Sequence, residues 1–339
     1  MSRGRAVAIL AGSLVGGTSA LVYASYRRSI RRARERVSVG SRVVETACGP
    51  IECAIAGEGP AVLIVHGAGG GFDQGMDFAE PLVRSGFQVI AVSRFGYLRT
   101  PLPADASAEA QADAHASLLD MLKIERAAVL GASAGAPSAM QLAIRHPERT
   151  AALILMVPAA YPFNVAKQTQ RVSAETRLLF DTALKSDFLF WAAPRIARRT
   201  LIRGILGTRP SVVESASAEE QARAAEVLAH ILPIRPRRLG LLNDAAVTSS
   251  LTRYDLERIE APTLILGFED CLYGTYSGAR YSAEHIPGAR LVSYPTGGHL
   301  WVGHQAEVIA EISGFLRVAG GPPAHSRRSQ AISGSTPLR

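Results

Sequence analysis

Short apolar runs recur along the chain, and most of them leave room for a helix before the next. Residues 61–65, 127–130, 152–157, 263–266 and 290–294 are runs of four to six mostly apolar residues, rich in Val, Ile and Leu, which is the pattern of strands buried in a sheet. Residues 137–144 instead place apolar side chains at helical spacing. Strand-like runs alternating with helical ones predict a mostly parallel sheet with helices on both faces. Two short strands, 42–47 and 51–56, flank the turn signal Gly49-Pro50. From about 161 to 256 the pattern changes and is helical only, for instance over 174–181 and 218–228.

The first part of the chain reads differently. No charged residue occurs between 6 and 26, and a helix of about 20 residues is long enough to cross a hydrocarbon core. Six arginines follow at once, at 27, 28, 31, 32, 34 and 36. Such a cluster resists translocation, so the expectation is an uncleaved single span with the rest of the chain on the cytoplasmic face. Export after cleavage near Val22-Tyr23-Ala24 is the alternative. The chain divides on this reading into an anchor with its basic flank (1–38), a core in two parts (39–160 and 257–318), a helical insertion (161–256) and a tail (319–339). The tail is poor in apolar residues and rich in Gly, Pro and Ser, so disorder is expected there.

Composition narrows the class. The chain has 339 residues, 47% hydrophobic and 19% charged, enough for one large domain and a subdomain. Its net charge of +8 would suit nucleic acid, but much of the excess sits in the 27–36 cluster, and no nucleic-acid motif accompanies it. The three cysteines are Cys48, Cys53 and Cys271. Cys48 and Cys53 could lie on one face of the 42–56 hairpin and are expected to be reduced thiols. No metal-ligand spacing links cysteines and histidines, and no cofactor is called for.

Chemistry is concentrated at the ends of the strand-like runs. Gly131-Ala132-Ser133-Ala134-Gly135 lies between the 127–130 run and the 137–144 helix. A serine on a sharp strand-to-helix turn is exposed, and the crowded backbone around it demands small neighbours. A serine hydroxyl needs a histidine to take its proton and a carboxylate to orient that histidine. Gly267-Phe268-Glu269-Asp270 ends one later run, and Gly297-Gly298-His299 follows the next. After the 61–65 run comes His66-Gly67-Ala68-Gly69-Gly70-Gly71, a loop whose backbone N–H groups can approach an oxyanion. Ala68 and Ala134 are the expected donors, with His66, Gly67 and Gly69 supporting the loop. Asp73 and Gln74 are expected to brace that loop or to cap the helix after it. His304 and His146 are set aside as a residue of the last helix and a helix-end group.

These segments together resemble the α/β-hydrolase superfamily, in its serine-nucleophile, cap-bearing branch, over roughly residues 40 to 318. The resemblance implies a mostly parallel sheet of about eight strands with helices on both faces, and a cap formed by the insertion. It implies a Ser133, Asp270 and His299 triad working through an acyl-enzyme, the pattern G-x-x-D selecting Asp270 over Glu269. A serine at the turn argues against the relatives that use aspartate there. Two positions depart from the family. The loop after the next strand, Val92-Ser93-Arg94, lacks the usual aspartate, and Cys271 stands where many relatives have proline. The implied substrate is a small or lipophilic ester. Carbon–carbon hydrolysis, lactonase or thioesterase activity on the same triad is the alternative, and a non-catalytic ligand receptor is a further one. In the cap, Phe188 to Trp191, with Trp301 outside it, are candidate pocket walls. The stretch 195–206 reads as an amphipathic helix rich in arginine.

Overall fold

The computed structural model describes residues 3–162, 182 and 184–319, with side chains from Ser19 onward. The expected cap helix over 174–181 and the tail from 320 lie outside the described residues, as do the side chains of 6–18 in the apolar run.

Eight strands form one sheet in the order β1-β2-β4-β3-β5-β6-β7-β8. They are β1 (Arg42–Thr46), β2 (Gly49–Ala56), β3 (Ala61–Val65), β4 (Gln88–Val92), β5 (Ala127–Ala132), β6 (Thr150–Met156), β7 (Thr263–Phe268) and β8 (Arg290–Tyr294). β1 and β2 pair antiparallel, β2 pairs antiparallel with β4, and every pairing beyond is parallel. The two-residue period of β3 explains the layers. Leu63 and Val65 face one core with Leu118, Leu119 and Met140, whereas Val62 and Ile64 face the other with Leu82, Val308 and Ile312. Each fully buried aliphatic of this kind contributes about 1.5–3 kcal/mol. The hairpin turns at Ala47-Cys48, two residues earlier than Gly49-Pro50 suggests, because Gly49 and Pro50 already pair with Thr46 and Glu45. Cys48 is consequently exposed and Cys53 buried, and both are free thiols.

Between β6 and β7 the described residues are helical: Asp187–Ile196, Arg198–Ile205, Pro210–Ser215, Ala218–His230 and Arg238–Ser249. Ser186 and Ser217 cap two of them by accepting from Leu189 N and Glu220 N. The 195–206 stretch is not one helix. It breaks at Ala197, just after the helix that contains Pro194. Arg195, Arg198, Arg199 and Arg203 are exposed, whereas Leu201 and Ile202 are buried.

Helix α1 runs unbroken from Arg3 to Ser38. Among the described residues no helix is long and apolar enough to cross a membrane. The structure adds something to the reading of the basic flank: its last turns pack on the cap. Ile30 and Ala33 are buried in one cluster with Phe190, Trp191, Leu228 and Ile234. Tyr26 meets Phe188 and Trp191 edge-on at 5.1 and 5.6 Å. The arginines point away from that seam or bond across it, as Arg34 does to Asp187 at 3.5 Å.

Candidate active site

β5 ends at Ala132, and the next residue, Ser133, has φ +50° and opens a single 3₁₀ turn, Ser133–Gly135, that leads into the helix Ala136–Arg145. A side-chain-bearing residue in the left-handed region is strained, and such strain persists only where the surroundings enforce it. Here the enforcement comes from two glycines. A Cβ at Gly131 would lie 2.6 Å from the Ala139 methyl, and one at Gly135 would overlap the Val65 carbonyl oxygen. Removing both side chains lets β5, the helix and the end of β3 close together, which leaves Ser133 at the sheet's carboxyl edge.

His299 comes from the loop after β8, in the turn Gly298–Leu300. Its Nε2 lies 2.9 Å from Ser133 Oγ. The ring is nearly buried, and desolvation lowers its pKa to about 4, so the imidazole is neutral at pH 7. Tyr273 meets it edge-on at 4.8 Å.

The carboxylate side of this pair is less simple. Asp270 is buried beside His299, and its Oδ1 accepts from Gly298 N at 2.7 Å. Its Oδ2 is buried with no hydrogen-bond partner among the described residues. The atom in contact with His299 Nδ1 is Cys271 Sγ, at 3.3 Å, and that sulfur also accepts from the Thr275 hydroxyl at 3.2 Å. Burial pushes the Cys271 thiol up, so it is uncharged. Glu269 points elsewhere, toward the Tyr276 hydroxyl at 3.4 Å. Ser133 and His299 are therefore brought together, whereas Asp270 bonds the backbone of the adjoining Gly298 and not the imidazole, with its Oδ2 lacking a partner among the described residues.

The glycine-rich loop lies against Ser133, for a Cβ on Gly67 would sit 3.2 Å from the Ser133 Cβ. Ala134 N–H is an early amide of the turn, one that a helix start leaves without an internal acceptor. Ala68 is exposed at the loop's crest, and Gly69 N–H donates to the Tyr97 hydroxyl at 3.2 Å. His66 serves the backbone. Its Nδ1 donates to Gly67 O at 2.7 Å, its Nε2 accepts from Arg94 N at 3.0 Å, and burial drives its pKa well below the usual range. Asp73 and Gln74 lie within the helix Phe72–Met76, and Gln74 Oε1 accepts from Gly67 N at 2.9 Å. His304 precedes the last helix, bonded to Glu307 at 2.7 Å, and His146 caps a helix end beside Asp113.

Two buried ion pairs fix this loop to the cap, and reasoning from sequence missed both. Arg94 makes a bidentate pair with Asp244 at 2.7 and 2.7 Å, and the Tyr97 hydroxyl donates to the same carboxylate at 2.5 Å. Arg237 is fully buried and bonds Asp73 at 2.7 and 3.1 Å and the Gly70 carbonyl. The missing aspartate after β4 was the available signal. A buried arginine there requires a carboxylate partner, although nothing local says which one. The aromatic wall candidates are also placed: Phe188 and Trp191 pack on α1, and Trp301 packs on Phe78 at 5.6 Å and bonds Gln305. Among the described residues no cluster of His, Cys, Asp and Glu could hold a metal ion.

The sequence profile of a family described as "alpha/beta hydrolase fold" matches residues 60–302. An uncharacterized hydrolase of Bacillus subtilis (strain 168), YcgS, is 28% identical over 277 residues, covering 79% of this chain and 95% of that protein. A 2-hydroxy-6-oxononadienedioate/2-hydroxy-6-oxononatrienedioate hydrolase of Comamonas testosteroni is 32% identical over 157 residues, covering 40% of this chain and 55% of that one. Among solved structures, an alpha/beta hydrolase fold protein from Nakamurella multipartita superposes with a TM-score of 0.64 at 29% identity, over 83% of this chain and all of that one.

Proposed function

The chain belongs to the α/β-hydrolase fold family, and on that premise we propose that it is a serine hydrolase of carboxylic esters, held at a membrane by its first helix. The observation that carries the reading is the 2.9 Å contact between a neutral, buried imidazole and a strained serine hydroxyl. Ser133 Oγ attacks the acyl carbonyl carbon as its proton passes to His299 Nε2. The oxyanion is taken by the N–H groups of Ala134 and Ala68. His299 then protonates the leaving alkoxide, and the acyl group stays on Ser133 as an ester. A water molecule repeats the sequence and releases the acid. Asp270 Oδ2, buried and without a hydrogen-bond partner among the described residues, then stabilises the imidazolium once Nδ1–H turns toward it.

Esters are favoured because an alkoxide departs more easily than an amide nitrogen. Two side chains beside the loop and the imidazole, Ile231 against Gly69 and Tyr273 against His299, carry no charge, which suits a neutral acyl group. A second reading draws support from the Comamonas relative, whose named substrate carries a ketone rather than an ester. The same serine would then cleave a carbon–carbon bond next to that carbonyl. Ser133→Ala should abolish hydrolysis of p-nitrophenyl butyrate without unfolding the protein. Wild-type turnover by that variant would refute the mechanism, and turnover of a vinylogous diketone but of no ester would favour the second reading.

Membrane attachment rests on the uncharged run 6–26 and the arginines after it. The exposed Leu21, Val22 and Tyr23 on α1 agree with it. Extraction from cell membranes by detergent but not by alkaline carbonate is the expected behaviour, and release by carbonate would refute the anchor.

A further inference from the structure

We infer that α1 is part of the active-site scaffold, with Arg36 a positioning residue that holds the glycine-rich loop through Asp73. The inference rests on the serine-hydrolase reading but concerns a segment that the reading treats only as an anchor. Arg36 lies in the last turn of α1. Its Nε donates to Asp73 Oδ2 at 3.2 Å, and its Nη2 donates to the carbonyls of His230 at 3.0 Å and Leu232 at 2.6 Å. One guanidinium thus ties together α1, the helix that follows the loop, and the end of the cap helix Ala218–His230.

Asp73 is the shared node. It is nearly buried, and Arg237 holds its other face. Burial pushes the carboxyl up, but Arg237 and Arg36 outweigh burial and hold it below the ordinary range, so it stays charged. From there the path to the reacting atoms is short. Arg237 also bonds the Gly70 carbonyl, and Gln74, next to Asp73, accepts from Gly67 N–H at 2.9 Å. Gly67 lies against Ser133. A loop that reads Gly67-Ala68-Gly69-Gly70-Gly71 has almost no side chains with which to fix its own conformation. Its amides keep their aim only because the ends are clamped from outside, and one arm of that clamp belongs to α1.

The seating of α1 makes the arm firm. Ile30 and Ala33 are buried in the cap core, Tyr26 packs on Trp191, and Arg34 bonds Asp187. Displacing the helix from the cap would withdraw Arg36 and leave Asp73 with a single arginine. Lysine is not a full replacement, because a point ammonium cannot reproduce the planar fork that spans a carboxylate and two carbonyls.

The test uses the full-length chain in detergent, with p-nitrophenyl butyrate as substrate and phenylboronic acid as an inhibitor that forms a tetrahedral adduct with Ser133. Active sites are counted by fluorophosphonate titration. Arg36→Ala should lower kcat about tenfold or more, with KM within about twofold. The boronate inhibition constant should rise by a similar factor, because the adduct needs the same amides. Arg36→Lys should be intermediate, and Arg31→Ala, on an exposed residue of the same helix, should match wild type. Wild-type kcat and boronate affinity in Arg36→Ala, or a fall matched by lost titratable sites, would overturn the inference. If Arg36→Ala does not fold, Arg36→Lys carries the test, and wild-type kcat in it overturns the inference. A dead Ser133→Ala beside an unaffected Arg36→Ala would refute only this scaffold role, whereas an active Ser133→Ala would refute the hydrolase reading itself.

Discussion

The turn that carries Ser133 and the layer of cap and α1 that presses on the neighbouring loop are held by different physics. The turn is set by steric crowding, Gly131 against the helix that follows it and Gly135 against the end of β3, and the two glycines admit what no side chain would. The layer is set by arginine–carboxylate pairs between residues far apart in the chain: Arg94 with Asp244, and Arg237 and Arg36 with Asp73. The contrast teaches where each part is vulnerable. The turn tolerates no added volume, whereas the layer tolerates no lost charge.

The harshest way to probe the contrast is Gly135→Val. Its Cβ would overlap the Val65 carbonyl, part of a strand that cannot yield, so no folded enzyme should be recovered. Recovery of active, folded Gly135→Val would show that the turn is not set by crowding. Asp244→Ala should cost about 3–5 kcal/mol, because it strands the buried Arg94 and takes the acceptor from Tyr97. Denaturant unfolding measures this, and a loss below about 1 kcal/mol would make the pair incidental.

Within the site, the corresponding contrast lies between a carboxylate with one oxygen lacking a partner among the described residues and a thiol that contacts the imidazole. Asp270→Asn should lower kcat by roughly a thousandfold or more, as loss of the orienting carboxylate does in such triads. Cys271→Ala should stay within about fivefold, since a thiol is a weak hydrogen-bonding group. The reverse order would make Cys271 the group that orients His299.

The pH dependence follows from burial of the imidazole. Only neutral His299 accepts the serine proton, and desolvation holds its pKa at about 4, so the acid limb of kcat/KM should fall below 6.5. The same depression acts on stability. Below pH 6.5 the unfolded chain takes up a proton that folded His299 refuses until about pH 4, so stability is complete above 6.5 and declines as pH falls through that window. Buried His115, with a pKa of about 3, acts in the same direction. An acid limb at or above 6.5 would contradict this account. The mildest change is Ser133→Gly, which should raise the melting temperature by relieving about 1 kcal/mol of strain at φ +50° while removing activity.

The turn was legible in the sequence because a tight strand-to-helix turn demands small residues at fixed offsets. The same holds for the sheet, whose apolar runs fall on β3, β5, β6, β7 and β8. His299 was legible for its place after a strand. The clamp was not, since no local pattern pairs Arg94 with a residue 150 positions away. Nor did the arginines after the apolar run announce that Arg36 reaches Asp73, just past the glycine-rich loop, or that Arg34 reaches Asp187 in the cap. Cys271 was visible as a departure from proline, but its contact with His299 depends on where the β7 and β8 loops meet.

The central claim is that Ser133 and His299 form a reactive pair. Mass spectrometry of the full-length protein after treatment with a fluorophosphonate tests it most directly. The account predicts a single adduct on Ser133, lost in Ser133→Ala and strongly slowed in His299→Ala. Folded protein that takes no label, or takes it on another residue at the same rate in both variants, would contradict it.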